Sequence, residues 1–427
     1  MRVTIVSCVF PPEPVVSSIT SSHLALELAR LGHDVTVITA FPSRPAGRLY
    51  PSYQRNLFQN EQHESGYRIV RCFATTSPQS TMASRFLENL SFGVTSACAA
   101  LFSRRADVIY ANTWPIFAQA FVLIVAFLRG SRLVLSLQDV YPESLLSQQR
   151  IRKLGFVART LRWVDTMIAR RSDALVVISD CFAQIYKQDR GVVPDRVHVI
   201  PNWMEEQSIR ASSDPAAFRA GKGIPADAFL VVYSGNVGFA SGIDTVVEAW
   251  RHLAGEQSYW LLVAGEGGLL ATCRGLAADV GTVRIVFHSP YPVEDTSNVL
   301  ASADLLVLPT RGQQSLYSVP SKIVSYMLAG KPILCQALPE SDLAKTVKTA
   351  DCGWVVEPDR LELLAEAIEQ IRTSSAAERQ RRGRAGEQFA LQNFSKSALL
   401  PRIINIIESS VTNTALTASA SLPGAHE

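Results

Sequence analysis

Short apolar runs alternate along the chain with segments of helical periodicity. Val3–Val9 and Asp34–Thr39 are rich in β-branched residues, which is typical of strands buried in a parallel sheet. Between these two runs Leu24, Leu28 and Leu31 recur at the spacing of one helix face. The pattern predicts a strand, a helix and a second strand, which together form a βαβ unit.

The same alternation continues, breaks at the polar segment 203–227 and then restarts. The further predicted strands are Tyr67–Cys72, Asp107–Tyr110, Arg132–Leu137, Ala174–Ser179, Val197–Pro201, Phe229–Ser234, Trp260–Ala264, Arg284–His288, Leu305–Pro309, Pro332–Cys335 and Trp354–Val356. We therefore expect two doubly wound α/β domains that join near residue 203. The long connection Phe41–Gly66 is predicted to be a functional or mobile loop, and the tail from Val411 to be disordered.

Composition narrows the possible function classes. The chain has 427 residues with 41 Lys and Arg against 38 Asp and Glu, a balance that excludes a nucleic-acid binder held mainly by phosphate attraction. Seven scattered cysteines without a C-x-x-C pair argue against a disulfide framework or a zinc site, and favour a reducing compartment. The N-terminus does not have the pattern of a signal peptide.

Charge and apolar residues are unevenly distributed. Residues 1–210 carry a net +7 and residues 211–427 a net −4, which suits either a membrane surface or an anionic acceptor in the first half, or is chance variation. The apolar run Pro115–Leu128 has 14 residues, too few to span a bilayer. It is predicted to be a buried helix, with an interfacial helix as the alternative.

Several common catalytic motifs are missing. The first strand is not followed by G-x-G-x-x-G, and the chain has no G-x-x-x-x-G-K-[ST], no G-x-S-x-G and no D-x-D. These absences argue against a dinucleotide oxidoreductase, a P-loop NTPase, an α/β-hydrolase and a paired-carboxylate metal site. The seven histidines are not at metal-ligand spacing.

Two loops of the second half are candidates for anion binding. The run Ser234–Gly238 follows a predicted strand, and its glycines allow either close approach to a phosphate or a simple tight turn. In the run Ser318–Pro332, Lys322 lies near a predicted helix start, and it shares a face with Ser325 and Tyr326. A cation beside a hydroxyl would suit a diphosphate and a ribose, whereas the alternative is a lysine that points into solvent.

Three carboxylates of the first half follow predicted strands. Glu13 comes after the first strand, and Asp139 and Glu143 come after Arg132–Leu137. They could hold sugar hydroxyls, or they could be helix caps.

These motifs together resemble the GT-B glycosyltransferases of family four, and most of all the subgroup that builds colanic acid, O-antigen and capsule. The resemblance runs from Val3 to about Glu408. It is carried by FPPEP, LGHDVTVIT, LQDVYPESL, SDALVVISD, VHVIPNW, YSGNVG, SVPSKIVSYMLAGKPIL and ADCGWVVEP.

The resemblance implies a GT-B fold of two facing Rossmann-like domains. Residues 1–203 would bind the acceptor, residues 204–393 the nucleotide sugar, residues 394–410 would form a helix that crosses back, and 411–427 a tail. It also implies transfer with retention of configuration and without a metal or other cofactor. The acceptor would be a polyprenyl-diphosphate-linked glycan, and the enzyme would lie in the cytoplasm at the inner face of the membrane.

The candidate site residues combine the loops with this resemblance. Those assigned to the reaction are Lys322, Asp139 and Glu13; those assigned to the donor are Gly235, Asn236, Ser289, Arg311, Tyr317, Val319, Ser321 and Ser325; and those assigned to the acceptor are Glu143 and Gln138.

The chain departs from the wider family at several aligned positions. Two family glutamates separated by seven residues align with Tyr317 and Ser325, and a family arginine and lysine on the phosphate loop align with Asn236 and Ser241. A family histidine aligns with Gln138. Two alternatives therefore stay open: a GT-B-fold sugar-nucleotide epimerase, and a non-catalytic protein that binds a nucleotide sugar or a partner.

Overall fold

The structure is a computed structural model of the chain. It describes residues 1–419 except 45, 80, 113–115, 148–154, 204–212, 254–257, 281–283 and 317–320, and it does not describe the side chains of 82, 147, 313, 314 and 413–419. The chain divides into two units, one of residues 1–202 together with 399–427, and one of residues 203–398.

The first unit is built on an eight-stranded sheet with the order β3-β4-β2-β1-β5-β6-β7-β8. The strands are β1 Arg2–Ser7, β2 Asp34–Ala40, β3 Phe58–Gln62, β4 Arg68–Cys72, β5 Val108–Asn112, β6 Arg132–Leu137, β7 Ala174–Val177 and β8 Val197–Val199. The helices of this unit are α1 Val16–Arg30, α2 Met82–Phe102, α3 Ile116–Arg129, α4 Glu143–Ser147, α5 Phe156–Arg171 and α6 Asp180–Gln184.

The second unit has a six-stranded, all-parallel sheet with the order β11-β10-β9-β12-β13-β14. Its strands are β9 Phe229–Ser234, β10 Tyr259–Ala264, β11 Ile285–His288, β12 Leu305–Leu308, β13 Ile333–Gln336 and β14 Gly353–Val356. Its helices are α7 Pro215–Gly221, α8 Ile243–Ala249, α9 Leu270–Val280, α10 Thr296–Ala301, α11 Lys322–Leu328, α12 Asp342–Thr349, α13 Leu361–Thr373 and α14 Ala376–Asn393.

Both faces of the second sheet are buried, which explains the uninterrupted apolar runs of its strands. Alternate residues of β9 enter different cores: Leu230 and Val232 pack in one apolar cluster, and Val231 and Tyr233 in the other. The prediction of two α/β domains with parallel sheets is confirmed.

Two sequence predictions are wrong in detail. The connection Phe41–Gly66 contains β3, which pairs antiparallel with β4 at the sheet edge. Its sequence FQNEQ is polar because alternate residues of an edge strand face solvent, so it lacks the apolar run that marks the other strands. The tail from Val411 was expected to be disordered, but a last helix, α15, spans Lys396–Ser419; residues 420–427 lie outside the described residues.

The apolar run 115–128 forms most of α3, and the predicted burial holds for one face only. Val122 and Val125 are buried, whereas Ile124, Phe127 and Leu128 are 53%, 84% and 63% exposed. Among the described residues no helix combines the length and the apolar character that crossing a bilayer requires.

Candidate functional site

The strand order of the second unit reverses at β9, which lies between β10 and β12. Loops leave such a position in opposite directions, so a crevice opens beyond the carboxyl ends of the strands. The loop after β9 carries Gly235 and Asn236, and the loop after β12 leads to α11, which begins at Lys322. The topology therefore directs both candidate loops to the same edge of the sheet.

Three glycines hold the loops after β9 and β10 in contact. Gly235, Gly265 and Gly267 have φ of +137°, +153° and +152°, a region that side-chain-bearing residues rarely adopt. A Cβ on Gly265 would lie 1.9 Å from the carbonyl oxygen of Gly235, and one on Gly267 would lie 2.4 Å from that of Val237. The backbone approach is thus possible only without side chains. Sequence analysis missed Gly265 and Gly267, although G-E-G-G directly after a strand is a visible signal.

Lys322 reaches across to the loop after β9. Its Nζ donates a hydrogen bond of 2.8 Å to Tyr233 Oη and lies 4.8 Å from the centroid of that ring. A Cβ on Gly235 would lie 2.1 Å from Lys322 Cε, so the glycine leaves the space that the lysine stem occupies. The alternative that Lys322 points into solvent is wrong, because the side chain is packed against Tyr233 and Gly235.

Lys322 brings a positive charge to the loop after β9. In the part of the chain that the structure describes, no carboxylate forms an ion pair with it, and burial lowers the pKa of its ammonium to about 8. Desolvation disfavours the charged form of a buried cation, and a nearby anion favours it. A diphosphate bound here would supply the missing counter-charge.

Two buried tyrosines, which sequence analysis did not assign to the loop, organise the end of β9. Tyr233 Oη donates to the carbonyl oxygen of Asn236 at 2.6 Å. Tyr326 Oη accepts from the Ser234 N–H at 2.8 Å and donates to the Ser234 carbonyl at 3.1 Å. Tyr326 was expected to share a ligand-facing surface with Lys322, but it is fully buried against the strand end.

The other donor candidates have mixed surroundings. Asn236 and Ser321 are exposed, Ser289 is partly buried after β11, and the Ser325 hydroxyl donates to the Lys322 carbonyl at 2.9 Å. Arg311 is paired with Asp244, and its Nε donates to the Phe239 carbonyl at 2.9 Å. The Arg311 charge is therefore already balanced, in contrast to that of Lys322. Tyr317 and Val319 lie outside the described residues.

In the first unit, Glu13 bonds to the chain itself. Its Oε2 accepts from the Phe10 N–H at 3.2 Å, and its Oε1 accepts from the N–H groups of Ser43 and Arg44 at 2.9 and 2.8 Å. Burial raises the pKa of this carboxyl, and the three N–H donors oppose that shift. Glu13 thus ties the loop after β1 to the loop after β2, a role that neither sequence interpretation included.

Glu143 is also engaged within the protein. Both of its oxygens accept from Nη2 of the buried Arg190, at 2.8 and 2.7 Å, while Arg190 Nε donates to Asp165 at 2.9 Å. Gln138 Oε1 accepts from Asn202 Nδ2 at 2.7 Å. These contacts assign Glu143 to an internal ion network rather than to a free acceptor site.

Asp139 is the carboxylate of this group that faces open space. It lines a cavity of about 680 Å³ in the first unit, and burial raises the pKa of its carboxyl. Of the four first-unit candidates, Asp139 is therefore the one placed to meet a ligand.

Comparison with known proteins gives matches along both units. A model of a glycosyl transferase 4-like domain matches residues 18–203, and a model of group 1 glycosyl transferases matches residues 215–389.

The chain is similar to curated glycosyltransferases from several bacteria. The putative colanic acid biosynthesis glycosyl transferase WcaI of Escherichia coli (strain K12) is 26% identical over 415 residues, which covers 95% of this chain and 100% of the relative. The probable glycosyltransferase WbjE of Pseudomonas aeruginosa is 25% identical over 273 residues, 63% of this chain and 67% of the relative.

Among solved structures, Anabaena Alr3699/HepE in complex with UDP aligns with a TM-score of 0.70. Its sequence identity is 17%, and the alignment covers 96% of this chain and 100% of that one. At 17% sequence identity, this similarity shows a shared fold alone.

Proposed function

The chain belongs to the GT-B glycosyltransferases of family four, and on that premise we propose that it transfers a sugar from a nucleotide-sugar donor to a lipid-linked glycan during surface polysaccharide biosynthesis. The proposed transfer retains the anomeric configuration and needs no metal. The observation that carries the proposal is the partly buried Lys322 ammonium, which has no carboxylate partner among the described residues and lies beside the glycine loop at the sheet edge.

In the proposed mechanism the acceptor hydroxyl attacks the anomeric carbon on the face from which the diphosphate leaves. The bond between that carbon and the phosphate oxygen breaks, and the departing phosphate oxygen takes the hydroxyl proton. Lys322 and the N–H group of Asn236 stabilise the negative charge that develops on the diphosphate, whereas the Gly235 N–H already donates to the Ala264 carbonyl oxygen at 2.8 Å. A group aimed at developing charge in a water-poor site contributes more than the same group in water.

The donor part of the proposal has support beyond this geometry. The Anabaena protein of similar fold is described in complex with UDP, and the crevice beyond the strand ends is where α/β sheets bind nucleotides. In our proposal Lys322 takes the role that a divalent cation has in metal-dependent transferases, because it already brings a positive charge into the site.

The lipid-linked acceptor and the membrane association rest on the first unit. Phe102 at the end of α2 and Phe127 near the end of α3 are 86% and 84% exposed, and Arg104, Arg105 and Arg129 lie beside them in the sequence. Aromatic side chains next to arginines are typical of surfaces that insert into an anionic lipid interface. We propose that this surface holds the enzyme at the inner face of the membrane.

Calorimetric titration with UDP, GDP, dTDP and their sugar conjugates tests the donor site. We expect one nucleotide to bind selectively, and Lys322→Ala to weaken that binding by about 100-fold, in line with the loss of a charge-assisted phosphate contact. Lys345→Ala is the matched control, because Lys345 is exposed on α12. If folded wild-type protein binds none of these nucleotides, the donor site is refuted and a partner-binding protein takes its place.

Incubating the selected sugar nucleotide without an acceptor separates the enzyme classes. A transferase leaves the donor sugar unchanged or slowly hydrolysed, whereas an epimerase would produce a new sugar nucleotide and would overturn the transferase proposal.

Vesicle sedimentation tests the membrane surface. We expect the protein to bind vesicles that contain phosphatidylglycerol, to release with rising salt as screening increases, and to bind less tightly as Phe127→Ser. Leu57→Ser is the control, because Leu57 is 67% exposed but lies outside this surface. Equal loss in both variants, or binding that does not respond to salt, would contradict the assignment.

A further inference from the structure

The cavity of the first unit is lined mainly by apolar side chains. It has a volume of about 680 Å³, within the range of about 300–1,000 Å³ that small-molecule sites occupy. Its apolar lining comes from α2, α3, α4 and α5 and includes Phe86, Phe117, Leu145, Phe156, Val157 and Leu161. Four helices thus enclose a space whose surface favours a hydrocarbon.

Part of this apolar lining is open to solvent. Phe86, Phe156 and Val157 are 48%, 78% and 53% exposed, and the Phe86 and Phe117 rings meet edge to face with centroids 5.4 Å apart. Contiguous exposed apolar surface is uncommon on proteins and marks places that another molecule covers. The cavity therefore has the character of a binding site rather than of a packing defect.

Two arginines give the cavity a positively charged portion. Arg44 and Arg85 both line it, and both pair with the single carboxylate of Glu88. The lining therefore combines the guanidinium groups of Arg44 and Arg85 with the carboxylate of Asp139. The Arg44 side chain is 13% exposed, so its guanidinium is largely removed from water. A charge removed from water attracts an anion more strongly than the same charge in water does.

The backbone of Arg44 is held in place by the chain. Its N–H donates to Glu13 at 2.8 Å, and its carbonyl accepts from Tyr50 Oη at 2.5 Å. Glu13 thereby positions the residue that carries the guanidinium into the cavity. A preorganised arginine is well suited to phosphate, because its planar fork can donate two parallel hydrogen bonds.

We propose that this cavity binds the isoprenoid segment next to the diphosphate of a polyprenyl-diphosphate-linked acceptor. In this arrangement the apolar lining contacts the isoprenoid chain, Arg44 contacts the diphosphate, and Asp139 accepts a hydrogen bond from a hydroxyl of the first sugar. The inference rests on the proposed function, which supplies the lipid-linked acceptor. The apolar lining, the cation pair and the open carboxylate match the three chemical parts of such a molecule.

Farnesyl diphosphate is a suitable probe of the cavity, and its binding to the full chain can be followed by calorimetry. Thr160 lines the cavity from the exposed side of α5, so Thr160→Trp fills part of the space without entering the core. Thr166 is the matched control, because it lies on the same helix and, like Thr160, donates its hydroxyl to the carbonyl four residues earlier, but it does not line the cavity.

We expect Thr160→Trp to weaken farnesyl diphosphate binding by about tenfold or more, equivalent to the loss of one well-packed apolar contact, and Thr166→Trp to leave it within about twofold. Arg44→Gln should weaken binding similarly, and Arg48→Gln, at an exposed neighbouring position, should not. Farnesol and inorganic diphosphate should each bind more weakly than the intact probe. Binding that is unaffected by both Thr160→Trp and Arg44→Gln would overturn the proposal.

Two further measurements identify the type of lipid chain and separate the cavity proposal from the transferase proposal. Hexadecyl phosphate tests a straight chain, and if it binds as tightly as farnesyl diphosphate, the isoprenoid assignment is overturned in favour of an acyl chain. Farnesyl diphosphate binding is measured without a donor, and nucleotide binding is measured without a lipid. Failure of the cavity proposal and failure of the transferase proposal therefore give different results.

Discussion

Replacing Lys322 by methionine separates the contribution of this residue to function from its contribution to stability. The ammonium is partly buried and has no carboxylate partner among the described residues, and its desolvation lowers its pKa from 10.5 to about 8. Methionine has a similar length, no charge and a sulfur that packs well against an aromatic ring. We expect Lys322→Met to abolish transfer and at the same time to stabilise the ligand-free protein.

The size of the stabilisation follows from the pKa shift. A shift from 10.5 to about 8 corresponds to about 3 kcal/mol at neutral pH, because one pKa unit is worth about 1.4 kcal/mol. The substitution also removes the hydrogen bond from Lys322 to Tyr233, whose net worth is about 1 kcal/mol. The expected gain in the free energy of unfolding is therefore about 2 kcal/mol.

The pH dependence of this gain has a defined direction. The folded protein binds the Lys322 proton less tightly than the unfolded chain does, so the cost of burying the charge is fully present below about pH 8 and disappears as the pH rises from about 8 to 10.5. The stability difference between Lys322→Met and wild type should shrink over the same interval.

Urea denaturation at pH 7 and at higher pH measures this effect, and a transfer or nucleotide-binding assay measures the loss of function. Lys345→Met, at an exposed lysine of α12, should change the free energy of unfolding by less than about 0.5 kcal/mol. The reasoning is refuted if Lys322→Met is less stable than wild type at pH 7, or if its gain does not depend on pH.

Three more predictions concern Gly235, the protonation of Lys322, and Arg190. Gly235→Ala should displace Lys322, weaken nucleotide binding by about tenfold and cost about 1–3 kcal/mol of stability because of its φ of +137°. Gly268→Ala is the calorimetric and denaturation control, because a Cβ at Gly268 would meet no atom within 4 Å. Equal effects of the two substitutions would contradict the contact between Gly235 and Lys322. Nucleotide binding at about pH 8.5 should take up protons, because a bound diphosphate raises the lowered pKa of Lys322. Calorimetry in buffers of different ionisation enthalpy measures this proton uptake. No uptake would mean that Lys322 is fully charged in the free protein. Arg190→Met should lower the free energy of unfolding by about 3–5 kcal/mol in urea titration, because it leaves the carboxylate of Asp165 buried without its cationic partner. A loss below about 1 kcal/mol would contradict that role.

Sequence patterns predicted the strands buried on both faces but not the edge strand β3. A buried parallel strand must be apolar at nearly every position, which makes it visible in the sequence. The edge strand β3 needs only alternate contacts on one side, and its polar residues resemble those of a loop. Local patterns therefore identify the interior of a sheet better than its edge.

The candidate site residues show the same difference between what local patterns predict and what long-range contacts decide. Loop position and residue type are enough to predict Lys322 and Gly235 as site residues, because a topology of alternating strands and helices directs certain loops to one edge of the sheet. Their contact, however, joins residues 87 positions apart in the sequence, and the pairing of Lys322 with Tyr233 follows from the register of β9 rather than from any local pattern.

The order of residues was enough to predict the two α/β domains, the family resemblance and the loops that carry its motifs, since each of these depends on short-range periodicity or on contiguous residues. The three-dimensional arrangement was needed to decide which polar residues are occupied by the protein and which are open to a ligand. Glu13, Glu143 and Asp139 are equivalent carboxylates in the sequence, yet the first caps loop N–H groups, the second pairs with Arg190, and the third faces a cavity. The physical reason is that hydrogen bonding, burial and charge balance depend on distant segments brought together by folding, and local sequence does not contain those distances.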